Sequence, residues 1–220
     1  MGETRQFQAA IFDLDGTLLD SMGMWSNLCR EFLLRHGIDE DIDLDGKLGV
    51  LSIRNALVYT LEYFDLDLDL DEACAETWQI VENFYREKVE LKPGITAILA
   101  ALKERNIPAG VLTATESGLV HAALERVGLR EYFGDRIISC ADRQMSKRSP
   151  EVFFLMTEKL NASPEKTIVF EDALYASKAA KNAGFTVAAV FDPCEKDQET
   201  LQQIADRYFA SWEDFPLEIL

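Results

Sequence analysis

The chain has 220 residues, 48% of them hydrophobic, and its 39 acidic and 22 basic side chains give a formal net charge of −17. This composition suits a globular core in one domain with an insertion, or in two domains. The negative charge argues against nucleic acid or an acidic membrane surface as a partner. No apolar run approaches the roughly 20 residues of a membrane helix, and the start, MGETRQFQ, lacks the apolar region of a secretory signal, so we expect a cytoplasmic protein.

The first predicted element is a strand over residues 8–13, where an apolar run ends in a carboxylate. Residues 20–90 then show only helical periodicity, with three apolar stripes that begin near Met24, Ile53 and Cys74. Connections between neighbouring elements are usually about 4–6 residues long, so an insertion of this length is a domain or a lid. The sequence therefore predicts an all-helical cap domain over residues 20–90.

Strand and helix patterns alternate through the rest of the chain. Four further strands are predicted, over residues 107–113, 136–139, 167–171 and 186–190. Helices are predicted over residues 95–104, 118–127, 150–160 and 173–183. Short apolar strands that alternate with helices indicate a parallel sheet covered on both faces. The expected fold is α/β, with a Rossmann-like parallel-sheet core formed by residues 1–19 and 91–220 and an inserted all-helical cap.

Capping residues indicate where one of these helices begins and where another ends. Ser149 is expected as the N-cap of the helix over residues 150–160, with Pro150 at its first position. Gly184 follows the alanine-rich helix and is expected as its C′ residue.

Two acidic stretches, residues 39–49 and 65–72, resemble calcium loops. An EF-hand loop needs regularly spaced acids, a central glycine and a closing glutamate. Counted from Asp41, the first stretch lacks the closing glutamate; counted from Asp65, the second lacks the glycine. We therefore interpret both as solvated loops whose acids cap the following helices. A calcium-binding module stays an alternative, which calorimetry with Ca²⁺ and Mg²⁺ would test.

The four cysteines are far apart in the sequence and form no C-x-x-C pair. They are Cys29, Cys74, Cys140 and Cys194. Because the chain has only two histidines, this pattern argues against a zinc site. We expect the cysteines to be reduced and mostly buried.

Two carboxylates, Asp13 and Asp15, stand at the end of the first strand, and Gly16 and Thr17 follow them. Ligands of open α/β sheets bind beyond the carboxyl ends of the strands. Side chains two positions apart on an extended chain face the same way, so both carboxylates are expected at one point in that crevice. Their repulsion has two solutions: a bound Mg²⁺, or a pair with one ionised and one protonated member that act as nucleophile and acid.

Other strand ends supply matching groups. Thr113 ends the second main strand, Glu171 and Asp172 end a later one, and Lys147 lies in a polar loop ahead of a helix. Two aspartates, a hydroxyl, a lysine and a further acid pair are the groups that displacement at phosphorus requires. The pattern therefore indicates phosphoryl transfer.

Four motifs in this order resemble those of the haloacid dehalogenase-like phosphatases, in the branch that holds β-phosphoglucomutase and small phosphoglycolate-type phosphatases. The motifs are FDLDGTLLDS at residues 12–21, VLTAT around Thr113, SKRSP around Lys147 and VFEDALYASKAAKNAG at residues 169–184. The resemblance covers the whole chain, including a helical cap after the first motif and LKPG where the core resumes.

The resemblance implies a role for each motif residue in catalysis. Asp13 is implied to be the nucleophile and to form an aspartyl-phosphate. Asp15 is implied to protonate the leaving oxygen and then to help activate water. Thr113 and Lys147 are implied to hold the oxygens of the phosphoryl group.

The same resemblance implies a Mg²⁺ site. The Asp13 carboxylate, the main-chain carbonyl of Asp15 and Asp172 are implied to bind the ion. Glu171 belongs to the same group of residues, as an orienting partner for Lys147 or for the waters on the metal.

Departures from the family pattern separate the possible activities. Dehalogenases lack the second aspartate, so Asp15 favours phosphoryl transfer. β-Phosphoglucomutases carry a histidine at the cap hinge, where Trp25 stands here, so a hydrolase is favoured over a mutase. The family usually has proline after the motif lysine, and Arg148 at that position could share the cation role of Lys147.

The cap is expected to close over the site and to select the substrate. Gly49 and Arg54 lie where relatives recognise their substrates, although an ordinary surface arginine is the alternative for Arg54. Ser21, Trp25 and Ala114 are further candidates for substrate contacts. Sugar phosphates, nucleotides and phosphoglycolate all stay open as substrates.

The sequence thus predicts a Mg²⁺-dependent phosphatase that hydrolyses a small phosphate ester, such as a sugar phosphate, through an aspartyl-phosphate. One alternative is a phosphotransferase of the β-phosphoglucomutase type. Another is a non-catalytic phospho-receiver that accepts phosphate on Asp13 and signals by a change of shape. The resemblance also implies a monomer or a weak dimer.

Overall fold

The structure is a computed structural model that describes residues 7–39 and 52–220. It divides into two compact units, of which the first is Met1–Asp20 with Val89–Leu220 and the second is Ser21–Lys88. The predicted core and cap, with their slightly different bounds, stay a prediction of separate domains.

A six-stranded parallel sheet forms the centre of the first unit. Its strands are β1 (Ala9–Phe12), β2 (Ala109–Thr113), β3 (Ile137–Ser139), β4 (Thr167–Glu171), β5 (Thr186–Val190) and β6 (Arg207–Phe209). They lie in the order β3-β2-β1-β4-β5-β6. The five predicted strands and the Rossmann-like α/β fold are confirmed. β6 was not predicted, because its three residues lie partly exposed at the sheet edge and show no apolar run.

Nine α-helices lie in the described ranges. The second unit contains α1 (Met22–Arg35), α2 (Ile53–Tyr63) and α3 (Leu70–Glu87). The first unit contains α4 (Ile95–Glu104), α5 (Ser117–Arg126), α6 (Arg130–Phe133), α7 (Glu151–Leu160), α8 (Leu174–Asn182) and α9 (Gln198–Ile204). The four helices predicted there are confirmed as α4, α5, α7 and α8, each within one residue at either end. None of the helices in these ranges has the length and hydropathy that crossing a membrane requires.

Capping explains the bounds of α7 and α8. Gly184 has φ +90° and donates from its N–H to Lys181, while Phe185 donates to Ala180, which is the Schellman arrangement expected of a C′ glycine. At α7 the prediction is wrong by one residue, because Pro150 occupies the N-cap position. The fixed φ of proline is compatible with that position, and its carbonyl accepts the first N–H groups of the helix.

The register of the central strands brings distant residues to one edge of the sheet. Phe12 of β1 pairs with Val111 of β2 and with Phe170 of β4. Because all three strands run in parallel, the residues that follow each of them leave the sheet at the same edge. The ends of β1, β2 and β4 therefore bound one location, and the Phe12 and Phe170 rings stack beneath it with centroids 4.3 Å apart.

Specific polar contacts join and cap the helices of the second unit. The Trp25 indole N–H of α1 donates to the Tyr85 hydroxyl of α3 at 3.0 Å. Asp69 caps α3 by accepting from the N–H groups of Asp71 and Glu72, so the capping role expected for the second acidic stretch is confirmed. The first acidic stretch lies, beyond Asp39, outside the described residues.

The four cysteines are free, as expected, but only Cys140 is buried. The other three are half-buried, so the expectation that most are buried is wrong. The physical reason is their position: Cys140 follows a strand inside the sheet core, whereas Cys29 and Cys74 lie on the amphipathic helices α1 and α3 and Cys194 lies in a loop.

Two features require glycine at position 94, at the start of α4: the backbone conformation of this residue and the close approach of a neighbouring segment. Its φ is +90°, a left-handed conformation that a Cβ disfavours. A Cβ there would lie 2.3 Å from the main-chain carbonyl carbon of Trp212, which belongs to a short 3-10 helix, Trp212–Asp214. The C-terminal residues therefore pack directly on the segment that starts α4.

We expect Gly94→Ala to lower the free energy of unfolding by about 2–4 kcal/mol, from left-handed strain and overpacking against a backbone that cannot rotate away. Chemical denaturation would measure this change. Gly118→Ala is the matched control, because a Cβ there meets nothing within 4 Å. Equal stability of the two variants would contradict the assigned packing.

Candidate active site

The turn after β1 aims two carboxylates away from the sheet. The Asp13 N–H donates to the carbonyl of Phe170, which continues the sheet by one residue. Gly16 has φ +87°, and its N–H donates to Leu19 at 2.9 Å, so the chain reverses tightly after Asp15. This compact turn over residues 14–19 places Asp15 and Thr17 on the same edge as Asp13.

Lys147 is the cation of this edge. Its ammonium lies 2.5 Å from Asp13 Oδ1 and also contacts Glu171 Oε1. Lys147 is 4% exposed, Asp13 6% and Glu171 1%, so the three charges meet away from water. Burial lowers the pKa of Lys147, but the carboxylates of Asp13 and Glu171 outweigh that effect and raise it well above its ordinary value. The two carboxylates therefore favour the charged form of Lys147.

Arg148, which follows this lysine, does not lie at the same acids in the structure. Its side chain is exposed, and its guanidinium lies over the Tyr175 ring, 4.6 Å from the centroid. The structure therefore gives Lys147 the contact with Asp13, while Arg148 packs on α8.

Glu171 uses both carboxylate oxygens within the protein. Oε1 accepts from Lys147, and Oε2 accepts from the N–H groups of Asp172 and Ala173 at 2.8 Å each. These contacts match an orienting partner for Lys147, and they leave less of the carboxylate free to bind a metal. The N–H groups that it holds belong to the entry into α8, so Glu171 also fixes that entry.

Asp172 is held by the turn after β1. The Thr17 hydroxyl donates to Asp172 Oδ1 at 2.9 Å, and both residues are buried. Burial, with the neighbouring carboxylates of Glu171 and Asp13, raises the pKa of Asp172 well above its ordinary value. Burial likewise raises the pKa of Asp13 to about 7, although Lys147 lowers it.

These carboxylates fit a hard divalent cation. Oxygen atoms of Asp13, Glu171 and Asp172 lie within 4.8 Å of one another. When ionised, three carboxylates leave two negative charges after Lys147 is counted, and a divalent cation would balance them. Oxygen ligands of this kind suit Mg²⁺ rather than softer metals. The Asp15 carboxylate is not part of this cluster, and the metal contact predicted for its main-chain carbonyl stays a prediction.

Hydroxyls from the end of β2 complete the edge. Thr113 is 1% exposed, and its Oγ1 accepts from the Thr115 N–H at 3.0 Å, which leaves the hydroxyl proton available. The Thr115 hydroxyl donates to Asp15 Oδ2 at 2.5 Å. Ala114, between them, is exposed.

Thr115 was missed in the sequence, and so was the contact of Thr17 with Asp172. The available signal was spacing: Thr113 and Thr115 are two positions apart, like Asp13 and Asp15, and so face one side.

Four predicted substrate-contact residues lie in the Ser21–Lys88 unit or outside the described residues. The Trp25 indole N–H is used inside the second unit, and Arg54 pairs with Asp71 at 2.6 Å with its side chain 57% exposed. Ser21 is buried at the start of α1, and Gly49 lies outside the described residues. Substrate contacts of these four residues stay a prediction.

The fold and this edge define an α/β protein with a buried acid–lysine site at the carboxyl ends of parallel strands. A family model described as haloacid dehalogenase-like hydrolase matches residues 10–190. The chain therefore belongs to the haloacid dehalogenase-like hydrolases. The matched range includes Asp13, Lys147, Glu171 and Asp172, which form the candidate site.

Relatives and solved structures agree with this assignment. Hexitol phosphatase B of Escherichia coli is 30% identical over 207 residues, which cover 86% of this chain and 87% of that protein. A fructose-1-phosphate phosphatase of Escherichia coli is 29% identical and covers 84% and 97%. A crystal structure from Thermotoga maritima, provisionally named as a beta-phosphoglucomutase, superposes with a TM-score of 0.83 at 25% identity, covering 94% and 96%. The predicted family and enzyme class, a phosphatase of these hydrolases, are confirmed.

The raised pKa values of Asp13 and Asp172 link metal binding to pH. Because the pKa of Asp13 is raised in the metal-free folded protein, the folded state holds the Asp13 proton more tightly than the unfolded chain does. The resulting contribution to stability is full below pH 3.8 and is lost as the pH rises through about 7. Mg²⁺ must displace protons at low pH and relieves repulsion at high pH. We therefore expect Mg²⁺ to raise the Tm more at about pH 8 than at about pH 5.5.

Thermal unfolding with Mg²⁺ and with EDTA at both pH values would measure this difference. Asp172→Asn should abolish the difference in the Mg²⁺-induced Tm increase between the two pH values. Asp135→Asn changes a carboxylate that is 87% exposed, and this variant should keep the difference. A Tm increase of the same size at both pH values would contradict the link.

Proposed function

We propose that this enzyme is a Mg²⁺-dependent phosphatase that hydrolyses a small phosphorylated metabolite, a sugar phosphate or a similar ester, through an aspartyl-phosphate on Asp13. The observation that carries the proposal is the buried ammonium of Lys147 between Asp13 and Glu171, beside Asp172. The ammonium of Lys147, together with a divalent cation held by the carboxylates, can offset the charge of a phosphate in an otherwise acidic protein.

Asp13 supplies the nucleophile. One carboxylate oxygen attacks phosphorus and forms an O–P bond, while the ester O–P bond breaks and its electron pair goes to the leaving oxygen. Lys147 is close enough to Asp13 to stabilise the ionised carboxylate and the phosphoryl oxygens as charge moves onto them. The Thr113 hydroxyl is available as a further donor to those oxygens.

Asp15 supplies and recovers the proton. In the first step it gives a proton to the leaving oxygen, and the alcohol departs. In the second step it accepts a proton from water as the water oxygen attacks phosphorus, the Asp13 O–P bond breaks and phosphate leaves. The Thr115 hydroxyl, at 2.5 Å from Asp15 Oδ2, holds this carboxylate in one orientation through both steps.

The carboxylates of Asp13 and Asp172 and the carbonyl of Asp15 are the groups that would hold Mg²⁺. When bound, the ion supplies positive charge to the phosphoryl oxygens. The chain's own contribution is to keep its ligands in place: Thr17 orients Asp172, and Glu171 orients Lys147 and the start of α8.

The names of two relatives support a sugar or polyol phosphate as the substrate class. Two enzymes that match this chain over more than four-fifths of its length are named for hexitol phosphate and fructose 1-phosphate chemistry. A sugar or polyol phosphate is therefore the first class to test. Cytoplasmic location and a monomeric or weakly dimeric state belong to the same proposal.

We expect Asp13→Asn to reduce phosphate release by at least about 10³-fold, because an amide lacks the nucleophilic oxygen that forms the intermediate. Phosphate release from a panel of sugar, polyol and other phosphate esters, with Mg²⁺ and with EDTA, would measure it. Acid-quenched single-turnover reactions with ³²P-labelled ester should trap labelled protein in the wild type only.

The matched control for this variant is Asp135→Asn, which changes an exposed carboxylate and should keep full activity. Release that persists in Asp13→Asn would contradict the proposal. Isomerisation of a sugar phosphate without net release would favour a phosphotransferase, and stable labelled protein without turnover would favour a phospho-receiver.

We expect Thr115→Val to lower kcat by about 10-fold and to leave KM nearly unchanged, because Asp15 loses the donor that orients it for proton transfer. Thr115→Ser keeps the hydroxyl and should stay within about twofold of the wild type. Steady-state kinetics on the best ester would compare the two variants. Equal losses in both would show that the hydroxyl is not the important group.

A further inference from the structure

Trp212 contacts the turn after β1 from the far end of the sequence. Its indole N–H donates to the main-chain carbonyl of Thr17 at 2.8 Å. Trp212 is 2% exposed and Thr17 is fully buried, so water does not compete for this hydrogen bond. The catalytic turn is therefore tied to the C-terminal part of the chain by a specific polar contact.

Thr17 faces this contact and the carboxylate cluster at the same time. Its carbonyl accepts from Trp212, and its hydroxyl donates to Asp172 Oδ1 at 2.9 Å. A shift of the Thr17 peptide would move both groups, because one short side chain joins them. The orientation of Asp172 thus depends on where the indole N–H holds the turn.

Trp212 is itself held on rigid elements. Its ring packs edge to face on Phe170, with centroids 5.4 Å apart, and its main chain rests on Gly94. Phe170 belongs to β4 and directly precedes Glu171. A second hydrogen bond holds the same turn: the main-chain N–H of Lys92, which lies before α4, donates to the carbonyl of Leu18 at 2.9 Å.

We propose that Trp212 is a positioning residue for the Asp172 carboxylate: its indole N–H fixes the Thr17 peptide, and the Thr17 hydroxyl then holds Asp172 in the orientation that Mg²⁺ binding needs. This inference rests on the proposed function, in which Asp172 is a metal ligand. Partners that orient metal ligands commonly contribute about 10–100-fold in affinity, and Trp212 acts one contact further away.

Trp212→Phe tests the role of the N–H while keeping an aromatic ring. We expect about 3–10-fold weaker Mg²⁺ affinity, measured by the Tm increase at graded Mg²⁺ concentrations, and a similar rise in the Mg²⁺ concentration for half-maximal phosphate release. Phe215→Leu is the matched control: Phe215 packs on Phe170 and Trp212 in the same cluster but donates no hydrogen bond from its side chain. It should lose stability and keep its Mg²⁺ affinity.

A double-mutant cycle shows whether Trp212 acts through Thr17. Thr17→Val removes the hydroxyl and should weaken Mg²⁺ binding by about 10-fold or more. In that background Trp212→Phe should add less than about twofold, because the link to Asp172 is already broken. Additive losses would overturn the inference.

An isosteric replacement covers the case in which Trp212→Phe does not fold. Incorporation of β-(3-benzothienyl)alanine at position 212 replaces the N–H by sulfur and keeps the two-ring shape, so it should fold and show the same loss of Mg²⁺ affinity. Unchanged affinity in that protein, or in a folded Trp212→Phe, would leave Trp212 a packing residue only.

The two proposals fail in different ways. A wild-type protein that neither binds Mg²⁺ nor releases phosphate would overturn the proposed function and this inference together. A wild type that responds to Mg²⁺, with a Trp212→Phe variant that responds equally, would overturn this inference alone.

Discussion

The site depends on one buried ammonium group. Lys147 lies between Asp13 and Glu171, with Asp172 beside them, and none of these charges is more than 6% exposed. Burying this many carboxylates is costly unless each has a partner. One lysine cannot balance them, so the cluster retains negative charge that a divalent cation or protons must offset. The raised pKa values of Asp13 and Asp172 have the same origin.

Holding such a cluster requires rigid support on every side. Strand register brings Asp13 and Glu171 to one edge, and the main-chain N–H groups at the start of α8 hold Glu171. The turn after β1 is the less regular part, and it is supported by hydrogen bonds with Thr115 after β2, with Asp172 after β4 and with Trp212 in the C-terminal segment. Catalytic groups on strand ends and supported turns keep their geometry better than groups on free loops.

The fold could be predicted from the sequence because it follows from local patterns, and the same patterns point to the main groups of the candidate site. Apolar runs that end in polar residues locate Asp13, Thr113, Glu171 and Asp172, and parallel strands bring such ends together. The contacts of Thr115 with Asp15 and of Trp212 with Thr17 are not predictable in this way. They join residues about 100 and 195 positions apart and depend on the packed structure. β6 is not predictable from the sequence for a related reason. Its pairing with β5, and not its own residue pattern, makes it a strand.

The hydrogen bond between Thr17 and Asp172 spans 155 positions, and β1 has both of its sheet neighbours, β2 and β4, far along the chain. Contacts of such separation form slowly, because a long loop must close before they stabilise anything. The second unit, Ser21–Lys88, accounts for a large part of that separation. During synthesis, a chain that has made β1 alone therefore carries the acids of the first motif with neither lysine nor hydroxyl partners. The site can therefore assemble only once the chain has been made as far as Asp172, the last of its three carboxylates.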